Sequence, residues 1–546
     1  MSTRFMLLLA CGVLAAGYVL YGRYLTRLLG VEPSRPTPAT TKFDGADYVP
    51  ARHWIILFGH HFSSICAAGP IVGPALAVAY WGWAPSLLWI LLGSVLLGAV
   101  ADYSSLVVAV RHGGVSIAEV AGAVLSRRAR ILFSVFILIA LILVLAVFAV
   151  LTAGTFIQAP EIVLASWGIL PVAALAGLLL YRGPAGGGRF LLVTVLGVGS
   201  ILAMLAIGHR LPAWTPSIGD LPPATVWIVL LMVYCFVASV VPVQYLLQPR
   251  DYISSFILFA TIGLGALGVL ITGPAMQARP FGGFLPPDWP VAGPLWPMMF
   301  VTIACGAISG FHSVVSSGTT CKQLGSEAHA CRIGYGAMLL EAGVAVLVVI
   351  AVGAGLSTLR HGELLRAPGG AITAFGEGYG SLTSWALGGY GATFAVMALN
   401  FFILTTLDTG TRLGRYLLQE LTGWENRYVP TLVIVGIAGA LALSGQWRIL
   451  WPAFGASNQL LAALSLLVVS CWLLQKGGWR RATLIPALFM LATTIGALLW
   501  QGYGALHRGG GKGPDYLLAS LCAILVLLAA LVFTEARGRV RDLRKT

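Results

Sequence analysis

Hydrophobic and polar positions along this chain alternate on the scale of whole membrane crossings, with apolar runs of about 20 residues separated by short polar or glycine-rich gaps. The pattern predicts fifteen spans, near 5–22, 52–80, 85–110, 131–152, 161–181, 190–208, 225–247, 252–273, 294–321, 333–357, 388–411, 429–445, 449–474, 482–502 and 515–535. Two of them are unlike the rest. Residues 52–80 contain Gly59-His60-His61-Phe62-Ser63-Ser64 and Gly69-Pro70-Ile71-Val72-Gly73-Pro74, and residues 294–321 contain Gly306, Gly310-Phe311-His312-Ser313 and Ser316-Ser317-Gly318-Thr319-Thr320. Lipid offers no water to loose amides, so these interruptions predict broken helices that line a cavity, with unwound backbone near Ala67–Gly73 and Gly306–Gly318. The second interrupted span follows seven spans after the first, and an odd offset makes the two run in opposite directions, as an inverted-topology repeat requires.

The expected fold is therefore all-α: a polytopic integral membrane protein of about fifteen transmembrane helices, two of them discontinuous, in an inverted-repeat core. Expected boundaries are an N-terminal span and linker (1–51), a first core half (52–290), a second core half (291–474), and C-terminal spans with a basic tail (475–546). Loops 209–224, 274–293 and 358–387 are long enough to act as lids. Arg4 ahead of an apolar run, and Leu8-Leu9-Ala10-Cys11, loosely resemble a cleaved leader, but the run continues to Tyr21 and reads as a retained span.

Composition agrees with the hydropathy pattern, since 58% hydrophobic and 10% charged residues leave too little polar surface for a soluble globule. The net charge of +14 raises the question of nucleic acid, but 25 of the 33 lysines and arginines fall on one side of the array. That asymmetry is the positive-inside signature, so no anionic partner is needed, and it places the N-terminus outside and the C-terminus in the cytoplasm. The eight cysteines show no paired spacing and read as small packing residues.

Candidate chemistry lies where polar residues fall at membrane depth. His60, His61 and His312 sit beside the interruptions, where imidazole suits a substrate carboxylate or a moving proton. With them, Gly59, Ser63, Ser64, Gly69, Gly310, Ser313, Ser316 and Ser317 form the expected substrate site, together with backbone amides freed at the breaks. Asp102 and Glu341 each lie deep in the span after an interrupted one and are candidate proton carriers. Thr405, Thr406 and Asp408 offer hard oxygens suited to Na⁺, although Asp408 also lies close enough to Arg412 and Arg415 for a plain salt bridge. Asn458-Gln459 and Gln248-Pro249-Arg250-Asp251-Tyr252 read as structural, the first as helix glue and the second as a junction between spans. No metal site or cofactor is expected.

The same words, together with Asp102-Tyr103-Ser104-Ser105, Thr405-Thr406-Leu407-Asp408-Thr409, Trp451-Pro452 and Phe454-Gly455-Ala456-Ser457-Asn458-Gln459, closely resemble the carbon starvation protein A family from about residue 50 to 470. The resemblance implies a bacterial inner-membrane uptake system used when preferred carbon runs out. It implies peptides as substrate or, in related members, pyruvate with protons. It also implies kinship to the amino acid, polyamine and organocation (LeuT-like) transporters, whose core is a five-plus-five inverted repeat. The seven-span offset departs from that count, so either two spans are inserted or one repeat partner is misassigned. The chain also looks shorter than the longer family members, with a brief basic tail.

These features point to an ion-coupled secondary transporter rather than an enzyme, with a peptide or small carboxylate as substrate, H⁺ as coupling ion and Na⁺ as the alternative. The chain lacks a GxxxxGK[ST] nucleotide motif. A haem-bearing redox protein is the rival class, disfavoured because the histidines form an adjacent pair and one distant residue instead of facing ligands several turns apart. An intramembrane serine protease built on His312 and Ser316-Ser317-Gly318 would need its serine and histidine to meet from separate helices. A passive channel differs from a symporter only in failing to accumulate substrate.

Overall fold

The computed structural model describes residues 2–181, 187–211, 216, 218–287, 292–366, 369–445, 447–478, 481–507 and 515–543, with the side chains of 447–452, and hence those of the expected Trp451-Pro452 word, outside that description. Parts of the expected lid loops, 212–215, 217, 288–291 and 367–368, also lie outside the described residues. Twelve helices are long and apolar enough to cross a membrane, and the bent pair Trp54–Ile65 with Gly69–Trp81 makes a thirteenth. The interrupted segment 295–318 and the shorter apolar helix Tyr428–Leu443 complete the fifteen crossings expected.

After α1 (Thr3–Leu28) come the half-helices α2 (Trp54–Ile65) and α3 (Gly69–Trp81), then α4 (Trp83–Arg111) and α5 (Arg127–Gln158). A hairpin of α6 (Val163–Tyr181) and α7 (Gly187–Gly208) leads to α8 (Pro223–Val240) and α9 (Leu247–Thr272). The second half opens with short helical pieces over residues 295–307 and continues in α10 (Gly310–Gly318) and α11 (Glu327–Ala354). Then follow α12 (Thr358–Arg366), α13 (Gly370–Leu387), α14 (Gly391–Thr422), α15 (Tyr428–Leu443), α16 (Trp447–Gln475), α17 (Arg481–His507) and α18 (Tyr516–Leu543).

Packing accounts for the seven-span offset. The half-helix α10 lies on α4 as α3 lies on α11; α9 lies on α2 as α16 lies on α10; α5 pairs with α14 and α8 with α15. Those contacts relate five crossings (α2/α3, α4, α5, α8, α9) to five (295–318, α11, α14, α15, α16). The hairpin α6–α7 is the insertion: its two helices pack mainly on each other and on α9, and α7 is mostly exposed on the flank of the bundle.

Each interruption is shorter than expected. Helix α2 stops at Cys66 (φ −79°, ψ 71°) and α3 resumes at Gly69, because Pro70 in its first turn needs no N–H partner; Gly69–Gly73 is therefore helical. The second break is the extended pair Ile308 (φ −153°, ψ 110°) and Ser309, after which Gly310–Gly318 is helical. The two halves of the first segment meet at 44°. Of residues 358–387, expected as a loop, 358–366 form α12 and 370–387 form α13, and α13 packs against α9, α11 and α14. Arg250, expected in a cytoplasmic gap, is buried in the first turn of α9.

Helices in lipid gain no hydrophobic reward from touching, so close packing of small residues must hold them together. A Cβ on Gly73 would sit 2.3 Å from the carbonyl oxygen of Thr302, where α3 crosses the helical pieces that precede the second break. Gly343, on α11, has nothing within 4 Å of that position. We therefore expect Gly73→Ala to lower stability by about 1–3 kcal/mol through overpacking, and Gly343→Ala to be neutral, measured by thermal unfolding of the purified protein.

Candidate functional site

The breaks create two half-helix N-termini, those of α3 and α10, in mid-bundle. At α10 the loose amide is capped from α16: Asn458 Oδ1 accepts from the Phe311 N–H (2.8 Å), and the Asn458 amide donates to Ser309 Oγ (3.0 Å) and Cys305 Sγ (3.0 Å). Asn458 thus acts as the glue its sequence context suggested, and more specifically as a cap for the broken helix. A cavity of about 180 Å³ opens beside the breaks, bounded by Gly69, Tyr80, Trp81, Cys305, Gly455 and Gln501.

Adjacent histidines on α2 face two separate polar networks. His61 lies 2.8 Å from Thr320 Oγ1 through Nδ1 and 3.1 Å from Asp102 Oδ2 through Nε2. Asp102 also accepts from the Ser316 hydroxyl and lies 3.9 Å from His312 Nδ1, while His312 Nε2 lies 3.1 Å from Glu341 Oε2. All of these side chains are buried. Among the described residues, neither carboxylate oxygen of Glu341 nor either ring nitrogen of His312 has a hydrogen-bond partner of good geometry.

His60 turns the other way. Its Nδ1 lies 2.6 Å from Asp251 Oδ2 and its Nε2 lies 3.2 Å from the Gln323 amide, which Gln248 holds in turn (2.6 Å). Asp251 accepts from Arg250, whose guanidinium also reaches Thr405 Oγ1, Asp408 and the Tyr234 hydroxyl. Asp408 therefore pairs with Arg250 and not with Arg412 or Arg415.

The remaining candidates have simpler surroundings. Ser64 donates to the His60 carbonyl (2.7 Å) and shares a hydrogen bond with Thr409 (3.0 Å), and Thr406 donates to the Ser64 carbonyl (3.0 Å), tying α2 to α14. Ser63 and Ser313 reach neighbouring carbonyls only weakly (3.4 Å each), and Ser317 accepts from the Ile117 amide (3.2 Å). Gly59 and Gly310 are points of close approach, to Ser255 of α9 and to the α16 backbone. Of the eleven residues expected to touch substrate, Gly69 lines this cavity; His60, His61, His312 and the serines lie sealed within the bundle.

At the end of the bundle away from Tyr80 and Trp81, ion pairs close the structure. Arg412 (2.8 Å) and Arg415 (3.0 Å) hold Asp47 of the linker before α2, and Arg111 (2.7 Å) holds Glu327. Burial pushes the Asp47 carboxyl up, but Arg412, Arg415 and Lys322 outweigh it and hold it well below the usual carboxylate range.

Sequence reasoning read Arg250 and Asp251 only as part of a structural junction and assigned no role to Gln323 or Tyr234. The Arg250-Asp251 pair carried a signal, because charge at the start of an apolar span is costly unless paired. Gln323 and Tyr234 carried none.

Removing the cap at α10 should be costly. Asn458→Ala is expected to lower stability by about 1–2 kcal/mol and to raise hydrogen exchange at the Phe311 amide, whereas Asn458→Asp, which keeps the accepting oxygen, should protect that amide.

A family model described as carbon starvation protein CstA matches residues 2–359 and 359–497. The peptide transporter CstA of Bacillus subtilis is 33% identical, with 96% of this chain and 94% of that protein covered. The pyruvate/proton symporter BtsT of Escherichia coli is 30% identical, over 91% of this chain and 81% of its own. The fold resembles that of an Eremococcus coleocola manganese transporter solved with an aromatic bis-isothiourea substituted compound, with a TM-score of 0.54 at 15% identity over 92% of this chain and 99% of that one. With the family model matching residues 2–497 and a 33% identical relative covered over 94% of its length, this multi-pass membrane protein belongs to the carbon starvation protein CstA family.

Proposed function

We propose that the chain is a proton-coupled importer of small carboxylate-bearing nutrients, peptides first, which works by exposing the region between its two broken helices alternately to either side of a bacterial inner membrane. The observation that carries this reading is the buried His312–Glu341 pair, 3.1 Å apart and lacking well-aligned partners, in a bundle whose cavity is lined by Gly69 and Cys305 near the two breaks. Glu341 lies within electrostatic reach of Cys66 and Cys305, which flank those breaks.

A substrate carboxylate entering at Gly69 meets the N-terminal end of α3, where loose amides and the helix dipole favour an anion. Keeping an ionised carboxylate buried without a partner costs several kcal/mol, so movement of the half-helices and proton exchange at Glu341 are linked. His61, Asp102 and Ser316 continue the polar path toward Thr320. Protons are favoured over sodium because the oxygens of Thr405 and Asp408 already hold the Arg250 guanidinium.

Peptide relatives at 33% identity support the peptide reading, and the pyruvate/proton symporter supports pyruvate as the second. Both substrates carry the carboxylate that the site would recognise. The arginine- and lysine-rich side would face the cytoplasm, placing the Asp47 and Glu327 ion pairs inside and the cavity outside.

Proteoliposomes with an inward pH gradient and no sodium should accumulate a dipeptide or pyruvate. Glu341→Gln and Asp102→Asn should abolish that accumulation and leave substrate exchange intact. Accumulation that appears only with a sodium gradient would refute proton coupling. Single cysteines placed in the C-terminal tail should label only from the cytoplasmic side.

A further inference from the structure

Arg250 is almost fully buried, and its guanidinium has four distinct oxygen-bearing partners instead of one carboxylate. It donates to Asp251 Oδ1 through Nε (3.0 Å) and Nη2 (2.6 Å), to Thr405 Oγ1 through Nη2 (2.9 Å), and to Asp408 Oδ2 and the Tyr234 hydroxyl through Nη1. The oxygens also bind one another: Tyr234 donates to Asp408 Oδ2 (2.6 Å) and Thr405 to Asp251 Oδ1 (3.0 Å). They come from α8, α9 and α14, so their convergence is a property of the folded bundle. Two carboxylates and two hydroxyls form the hard-oxygen set that small metal cations take.

Charge distinguishes this cluster from an ordinary ion pair. Two carboxylates face one guanidinium, and Asp408 Oδ1 has no hydrogen-bond partner among the described residues, so the oxygen cage seeks more positive charge than a single salt bridge would. The Gln323 amide lies on His60 Nε2 and His60 Nδ1 lies on Asp251 Oδ2, so the imidazole meets the second oxygen of Asp251 and does not reach Asp408. Arginine is permanently charged, and its fork satisfies several oxygens at once.

We propose that Asp251, Thr405, Asp408 and Tyr234 form a monovalent-cation site that the chain fills with its own Arg250, a tethered cation that replaces sodium. The role in transport rests on the proton-coupled reading above; the existence of the cation site does not. An arginine in this site holds α9 to α14 with a charge that cannot dissociate, so the contact between them persists at any sodium concentration. Removing the side chain exposes the cage to a small cation from solution.

The test is thermal unfolding of the purified full-length protein in sodium chloride and in choline chloride, which needs no transport and no substrate. Wild-type protein should melt at the same temperature in both salts. Arg250→Ala should be destabilised in choline and recover by about 5 °C in sodium at about 100 mM, through binding to the folded state alone. Guanidinium at low millimolar concentration should act likewise, and Asp408→Asn in the Arg250→Ala background should abolish both responses. An Arg250→Ala protein indifferent to both cations, or a wild type stabilised by sodium over choline, overturns the proposal. If Arg250→Ala folds in neither salt, Arg250→Ala/Asp408→Asn decides: recovery of folded protein supports a charge-filling role, and continued failure shows that the arginine's shape is what matters and overturns it. Proton coupling fails instead in the uptake assay, so the two failures are separately visible.

Discussion

Two adjacent histidines, set about 100° apart on one helix, organise the interior of this protein. A polar group at membrane depth must find its partners inside the protein, and one turn of α2 sends His61 toward α4 and Thr320 while His60 faces α9 and Gln323. Each histidine thereby draws in a carboxylate, Asp102 or Asp251. The carboxylates draw in Ser316 on one side and Arg250 with Thr405 on the other. Helices that lipid would let drift apart are held at positions set by hydrogen-bond geometry.

Satisfaction of these polar groups is uneven. The Asn458 cap and the Ser64–Thr406 and Ser64–Thr409 contacts fasten the half-helices to α16 and α14 with short, aligned bonds. The His312–Glu341 pair is close but poorly aligned, so small shifts of α10 against α11 change its energy most. Breaking a buried ion pair by removing one partner costs about 3–5 kcal/mol, whereas exposed pairs are worth about 0–1 kcal/mol. The linker residue Asp47, partly exposed and held by two arginines, lies between those limits. Its carboxylate, kept well below the ordinary range, contributes fully above the unfolded value of about 4 and is lost as pH falls toward the folded one. At neutral pH the closure it makes is therefore constant.

Hydropathy alone determined the number of crossings, the two interrupted spans and their opposed directions, because the cost of exposed backbone in lipid is written into composition at each depth. The family words identified His60, His61, Asp102, His312 and Thr405 as polar residues worth locating. Span edges were less legible: a window that penalises charge ended one helix and began the next around Arg250 and Asp251, although pairing lets both lie inside α9. Residues 358–387 were similarly obscured by glycine and charge until α13 found a surface on α14 to pack against.

Tertiary structure decided which polar residues meet. The seven-span offset became five against five only when α6 and α7 were seen on the flank of the bundle. Asp408, level in sequence with Arg412 and Arg415, instead pairs with Arg250 158 residues away, while those two arginines hold Asp47. Composition records that a buried charge needs a partner; the partner is whichever group the packing of helices from distant parts of the chain brings within reach, and no spacing along the chain encodes that distance.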